Sequence, residues 1–179
     1  MILHDRKLIF IHIIKTGGTS IEKLFNSPPS DHRRGRDYLE LLGAEKYQQY
    51  FSFAIVRNPW DKMVSQYFFN AHKWNPENTS FKEYIKKFGK GERISKYSPF
   101  HFSYIMDANE QIIVDYIGRF EKLQDSFNHV CKQVDLNITK LPHYKKSTHG
   151  CYRDYYDEES RRIVAKMFEK EIDYFEYKF

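Results

Sequence analysis

A chain of 179 residues with 41% hydrophobic and 17% aromatic content is long and apolar enough to build one buried core, which excludes a disordered polypeptide. Its net charge of +5 is a modest excess that suits an anionic ligand, and charge alone leaves nucleic acid open as a partner. No apolar stretch is long enough to cross a bilayer, no signal-peptide pattern is present, and Cys131 and Cys151 lack metal-ligand spacing, so the expectation is one reduced, cytoplasmic domain over residues 1–179.

The first landmark runs from Leu8 to Ser20. An Ile-rich run too short to span a membrane reads as a buried strand, and it ends abruptly in Lys15-Thr16-Gly17-Gly18-Thr19-Ser20. Paired glycines let the backbone turn sharply and approach a ligand without a Cβ in the way. Thr19 and Ser20 are good helix N-cap types, and Ile21, Leu24 and Phe25 supply an apolar stripe behind them. Strand, glycine turn and helix start together make an anion cradle, to which Lys15 adds a full positive charge. The order differs from the phosphate loop of nucleoside triphosphatases, where Lys follows the glycines. His12 shares strand parity with Phe10 and Ile14 and reads as a satisfied core histidine.

Residues 26–36 mix prolines, small polar residues and arginines and read as a loop, followed by a helix from Tyr38 to Tyr50. The second landmark is Phe51 to Tyr67. Phe51–Val56 is another buried-strand run; Pro59 suits the first position of a helix, with Asn58 as its cap. Arg57 then stands at the carboxyl end of a strand, where ligands sit in open α/β sheets, and it shares a crevice with the Lys15 loop if the two strands are neighbours. A guanidinium gives paired, charge-assisted bonds to phosphate, and the Ser65 hydroxyl adds one more donor.

Both landmarks resemble the sulfotransferase family. The first is similar to the 5′-phosphosulfate loop, which in the glycan-modifying branch reads Pro-Lys-Thr-Gly-Gly-Thr-Ser; here Ile14 replaces the proline. The second is similar to the 3′-phosphate motif, with Lys62 where Arg is usual and with Arg57 and Ser65 at the two positions that hold the 3′-phosphate. The resemblance implies an α/β, P-loop-like three-layer fold with a central, mostly parallel sheet flanked by helices. It implies 3′-phosphoadenosine 5′-phosphosulfate (PAPS) as co-substrate, held by Lys15, Thr16, Gly17, Gly18, Thr19, Ser20, Arg57 and Ser65, without a metal. Lys15 is then catalytic, neutralising charge at the bridging oxygen. The implied partner is a glycan or another hydroxyl- or amine-bearing acceptor rather than nucleic acid. In related glycan enzymes the base comes from between the two motifs, where His32 is the one histidine, which makes it the candidate base. Arg33 and Arg34 beside it keep it neutral if they lie close.

Further along, Ser80-Phe81-Lys82-Glu83 spells a capping box that opens a helix through Phe88. Lys82, Lys86, Lys87, Lys90, Arg93 and Lys96 form either a solvated helix face or a rim that attracts anions. Phe102–Met106 and Gln111–Phe120 read as strands joined by a turn. Ile112-Ile113-Val114-Asp115 imitates a strand ending in a Mg²⁺-binding Asp, and it is the basis for a rival kinase or nucleotidase reading. Phe120-Glu121-Lys122-Leu123 resembles a stretch that leads into a helix in the glycan sulfotransferases, and Leu123, Phe127, Val130, Cys131 and Val134 give that helix an apolar face. The polar loop 141–154 either closes over the nucleotide, as in the family, or is an ordinary basic surface loop. Asp157 caps a final helix. Trp74 and Tyr97 are aromatics that suit a sugar or an acidic glycan, and equally a small phenol or lipid. A third reading, a non-catalytic module that binds nucleotide or polyanion, fits the same basic loops.

Overall fold

The computed structural model describes residues 1–29, 31–70, 79–137, 140–142, 144 and 149–179. They fall into two compact units, Met1–Val56 with His101–Lys145, and Arg57–Phe100 with Lys146–Phe179.

The first unit is α/β. Its sheet runs β1 (Ile2–Leu3), β2 (Leu8–Ile11), β3 (Phe51–Val56) and β4 (Tyr116–Arg119), in that spatial order. Strands β2, β3 and β4 are mutually parallel and β1 is the antiparallel edge. Every residue of β2 and all but the first of β3 are buried, as expected of parallel strands covered on both faces. One face meets α1 (Gly18–Leu24) and α7 (Leu123–Gln133) through Leu8, Phe10, Ile21, Phe53, Ile55, Phe127, Val130 and Cys131. Cys131 is thus a core thiol.

The register pairs Ile11 with Ala54, so β2 and β3 end at the same edge of the sheet. The chain leaves β2 into the lysine–glycine turn, and Arg57 is the residue after the last of β3.

Two expectations are corrected within this unit. The helix from Tyr38 to Tyr50 is two helices, α2 (Gly35–Leu42) and α3 (Ala44–Tyr47), because Gly43 takes φ 76° and breaks the path. Phe102–Met106 is not a strand but mostly a short helix, α6 (Phe102–Ile105); of the proposed hairpin only an isolated bridge, Met106 to Ile112, is present. The aromatic and β-branched residues that suggested a strand are there to be buried, with Tyr104 and Ile105 essentially inaccessible.

In the second unit, α4 (Pro59–Asn70) begins at the proline, and Asn58 Oδ1 accepts from Trp60 N–H at 3.1 Å as its cap. The capping box at Ser80 and Glu83 opens α5 (Phe81–Gly89), which buries Phe81, Tyr84, Ile85 and Phe88. Asp157 caps α8 (Glu158–Met167), and a break at Phe168 makes the last segment a separate helix, α9 (Glu169–Tyr174). Two of the basic residues on α5 are spent on α8: Lys82 Nζ lies 3.2 Å from Asp157 and Lys86 Nζ 2.8 Å from Glu159. For these two the solvated helix face is the better description. Among the described residues no helix is long and apolar enough to cross a membrane.

Candidate active site

The turn after β2 is shaped by backbone constraints that a side chain cannot share. Gly17 sits at φ 83°, in the left-handed region, and is the N-cap of α1. The helix therefore starts before Thr19 and Ser20, which lie in its first turn rather than capping it. A left-handed residue at the cap needs no Cβ, and this is why glycine takes the place expected of a hydroxyl residue. Gly18 is required for a different reason: a Cβ there would stand 2.1 Å from Cδ2 and 2.3 Å from Nε2 of His12. Lys15 is also left-handed, at φ 61°, a conformation that costs a non-glycine residue about 1 kcal/mol and is held only where surroundings impose it. Thr16 Oγ1 donates to the Ile13 carbonyl at 2.9 Å and locks the turn. Among the described residues, the backbone N–H groups of Thr16, Gly17, Gly18 and Thr19 have no acceptor. Four consecutive unsatisfied donors beside a lysine are the chemistry of an anion cradle.

Beneath the cradle lies a polar group of three residues. His12 and Glu22 are about 5% exposed, and His12 Nδ1 donates to Glu22 Oε1 at 2.7 Å. The His12 ring stacks on Phe10, with 5.5 Å between centroids, and meets the His32 ring edge-on at 4.4 Å. His32 Nδ1 lies 2.9 Å from the His12 carbonyl oxygen. A carbonyl only accepts, so this contact assigns the proton to Nδ1 and the lone pair of the neutral ring to Nε2. Burial pushes the His32 imidazole below its ordinary value, and the His12 ring adds to the lowering. The expectation that Arg33 and Arg34 do this is corrected: Arg33 Nε is engaged by Asp31 at 3.1 Å, and burial is the main cause. His12 is the satisfied, buried histidine its strand parity suggested. Glu22 was not singled out from the sequence.

Ser20 is buried, and its Oγ accepts from the Tyr144 N–H at 3.1 Å, while Lys23 Nζ lies 4.3 Å from the centre of the Tyr144 ring. One residue of the loop 141–154 is thus tied to the helix that follows the cradle. His143 and residues 145–148 of that loop, and Trp74, lie outside the described residues.

In the second unit, Arg57 is 5% exposed and its Nε donates to Asp61 Oδ2 at 2.8 Å, one helical turn on. Ser65 is buried on the same helix at 2%. Lys62 is wholly buried, its Nζ donates to the Pro99 carbonyl at 2.5 Å, and burial lowers its pKa to about 7. Gln66 was missed in the sequence: it is 1% exposed, and neither amide atom has a hydrogen-bond partner among the described residues.

Asp115 does not behave as a metal ligand would. It precedes β4 and sits at the amino edge of the sheet, opposite the edge from which the lysine turn emerges. Its Oδ2 accepts from both the N–H and the hydroxyl of Ser52, each at 2.7 Å. The rival reading of residues 112–115 fails on that position. Among the described residues no group of three or more His, Cys, Asp or Glu side chains is placed to hold a metal ion.

An uncharacterised protein of Archaeoglobus fulgidus is 31% identical over 97 residues, covering 53% of this chain and 76% of the relative. No solved structure gives a significant match. The profile of the sulfotransferase family matches residues 1–178, essentially from end to end. On that match the chain belongs to the sulfotransferase family.

Proposed function

We propose that this sulfotransferase uses PAPS as its donor and sulfates a hydroxyl, or an amine, of an acceptor, most simply a glycan. The observation that carries the reading is the cradle: four unsatisfied backbone donors behind a left-handed lysine, at the carboxyl edge of a parallel sheet. Residues 1–179 act together as one domain, a reading supported by a family match that runs through 1–178. The cytoplasm is the proposed compartment, in keeping with Cys131 and Cys151 both being free thiols.

The donor supplies an activated sulfuryl group on a good leaving group. The N–H groups from Thr16 to Thr19 hold its 5′-phosphate, and Lys15 faces the bridging oxygen, where charge grows as the sulfur–oxygen bond breaks. Arg57 and Ser65 take the 3′-phosphate. With Nδ1 committed to the His12 carbonyl, His32 receives the acceptor's proton on Nε2 as the acceptor oxygen bonds to sulfur. Burial keeps His32 neutral and able to accept at neutral pH. The branch-specific spelling of the first motif supports a sugar acceptor.

The test is transfer of labelled sulfuryl from PAPS to a panel of glycans, phenols and amines, run with and without a chelator. Turnover that survives chelation supports the reading. Stabilisation by ATP only with Mg²⁺ would favour a kinase, and binding of the nucleotide without turnover on any acceptor would favour a non-catalytic module.

A further inference from the structure

We propose that the buried Glu22–His12 pair is a positioning device for His32, tying the lysine turn and the proton acceptor into one unit. The inference rests on His32 being the base of the reaction proposed above, and it names two residues outside the family motifs as its support. Four contacts carry it. Glu22 grips His12 at 2.7 Å, His12 grips His32 through its carbonyl at 2.9 Å and its ring at 4.4 Å, and the His12 ring fills the space at Gly18. One imidazole thus touches both the cradle and the base.

A buried polar pair needs a reason to persist, since apolar residues of equal volume often serve stability as well. Here the reason is the charge that forms on His32. When His32 takes a proton it becomes an imidazolium in a half-buried position, and the Glu22 carboxylate behind the His12 ring offsets that charge. The groups that face His32 are His12 at the end of β2, Glu22 on α1 and Asp31 on its own loop; the Met1 ammonium faces Glu22 and Asp31. Glu22 and Asp31 favour the imidazolium and His12 disfavours it. Glu22 and His12 touch no reacting atom in this scheme. Their effect passes through His32.

The two halves of the device make predictions of opposite sign. Glu22→Gln keeps the shape and a hydrogen bond but drops the charge. His12→Asn keeps a donor for Glu22 but removes the ring. The readout is the titration of His32, followed through its ring Cε1–H resonance in the ligand-free protein, with melting temperature as a check on folding. Glu22→Gln is expected to lower the His32 titration by ~0.5 unit or more, and His12→Asn to raise it. In the transfer assay, the acid limb of kcat/KM shifts in the same directions, and kcat for Glu22→Gln falls roughly 3- to 10-fold with donor KM little changed. If both folded variants leave the His32 titration where it is in the parent, the pair is packing alone and the inference is wrong. The titration uses neither donor nor acceptor. Opposite shifts in a protein that transfers no sulfuryl group therefore support the link to His32 and count against the functional reading instead.

Discussion

Gly18→Ala isolates the contact on which the cradle is built. The added Cβ would sit 2.1, 2.3 and 2.7 Å from three atoms of the His12 ring. Relief needs a shift of about 1 Å, far beyond what a packed core absorbs freely. The ring has nowhere cheap to go, because Nδ1 is bound to Glu22 at 2.7 Å and one face is stacked on Phe10. Overpacking costs about 1–3 kcal/mol, and loosening a buried hydrogen bond to a carboxylate adds about 1–3 kcal/mol more. A total near 4 kcal/mol in a chain of this length lowers Tm by roughly 8–16 °C. Two other glycines calibrate the measurement. Gly43→Ala meets open space but sits at φ 76°, so it should lose only about 1–2 kcal/mol. Gly150→Ala meets nothing within 4 Å and carries no left-handed φ, so it should melt within about 1 °C of the parent. Differential scanning calorimetry of the three variants decides the matter. A Gly18→Ala protein that melts within about 2 °C of the parent would refute the close approach of His12 to the turn.

Three further outcomes follow from the same structure. Lys15→Gly relieves a left-handed non-glycine residue at φ 61°, so urea denaturation should show stability within about 1 kcal/mol of the parent while binding of adenosine 3′,5′-bisphosphate is lost. A clear loss of stability would mean that the lysine serves packing rather than ligand. His32→Ala should lower kcat by roughly 10²–10⁴-fold with the bisphosphate Kd within about twofold, checked by steady-state kinetics and calorimetry. Lys62→Met tests a buried amine. Its pKa is lowered to about 7 in the folded state from 10.5, so between those values the unfolded chain binds the extra proton and stability rises with pH. Denaturation from pH 7 to 9.5 should show the parent gaining relative to the variant, toward a limit on the order of 4 kcal/mol. Parallel pH profiles would show that Lys62 is not held as an uncharged amine.

Much of this was legible from residue patterns. The Ile-rich run and the Phe51–Val56 run give parallel neighbours because the first is apolar throughout and the second at every position but Ser52, the mark of strands covered on two faces. Asn58-Pro59 marked a helix start through its own local chemistry, which no tertiary contact overrides. Gly17 and Gly18 were seen as a turn, but the two need glycine for different reasons, and only coordinates separate a left-handed φ from a neighbouring imidazole. Phe102–Met106 went wrong because Phe, Tyr and Ile favour strands locally yet here serve burial of a short helix. Glu22 stayed hidden because its partner lies ten positions back on another element, and nothing local announces that pairing.

The central claim, that the lysine-led and arginine-led turns serve the two phosphates of one adenosine nucleotide, is tested most directly by calorimetric titration of the parent, Lys15→Ala and Arg57→Ala. Each is titrated with adenosine 3′,5′-bisphosphate and with adenosine 5′-monophosphate. Lys15→Ala should weaken both ligands. Arg57→Ala should weaken the bisphosphate by about tenfold or more and leave the monophosphate nearly unchanged, so that preference for the 3′-phosphate collapses. Equal losses for both nucleotides in Arg57→Ala, or none for either in Lys15→Ala, would contradict the assignment.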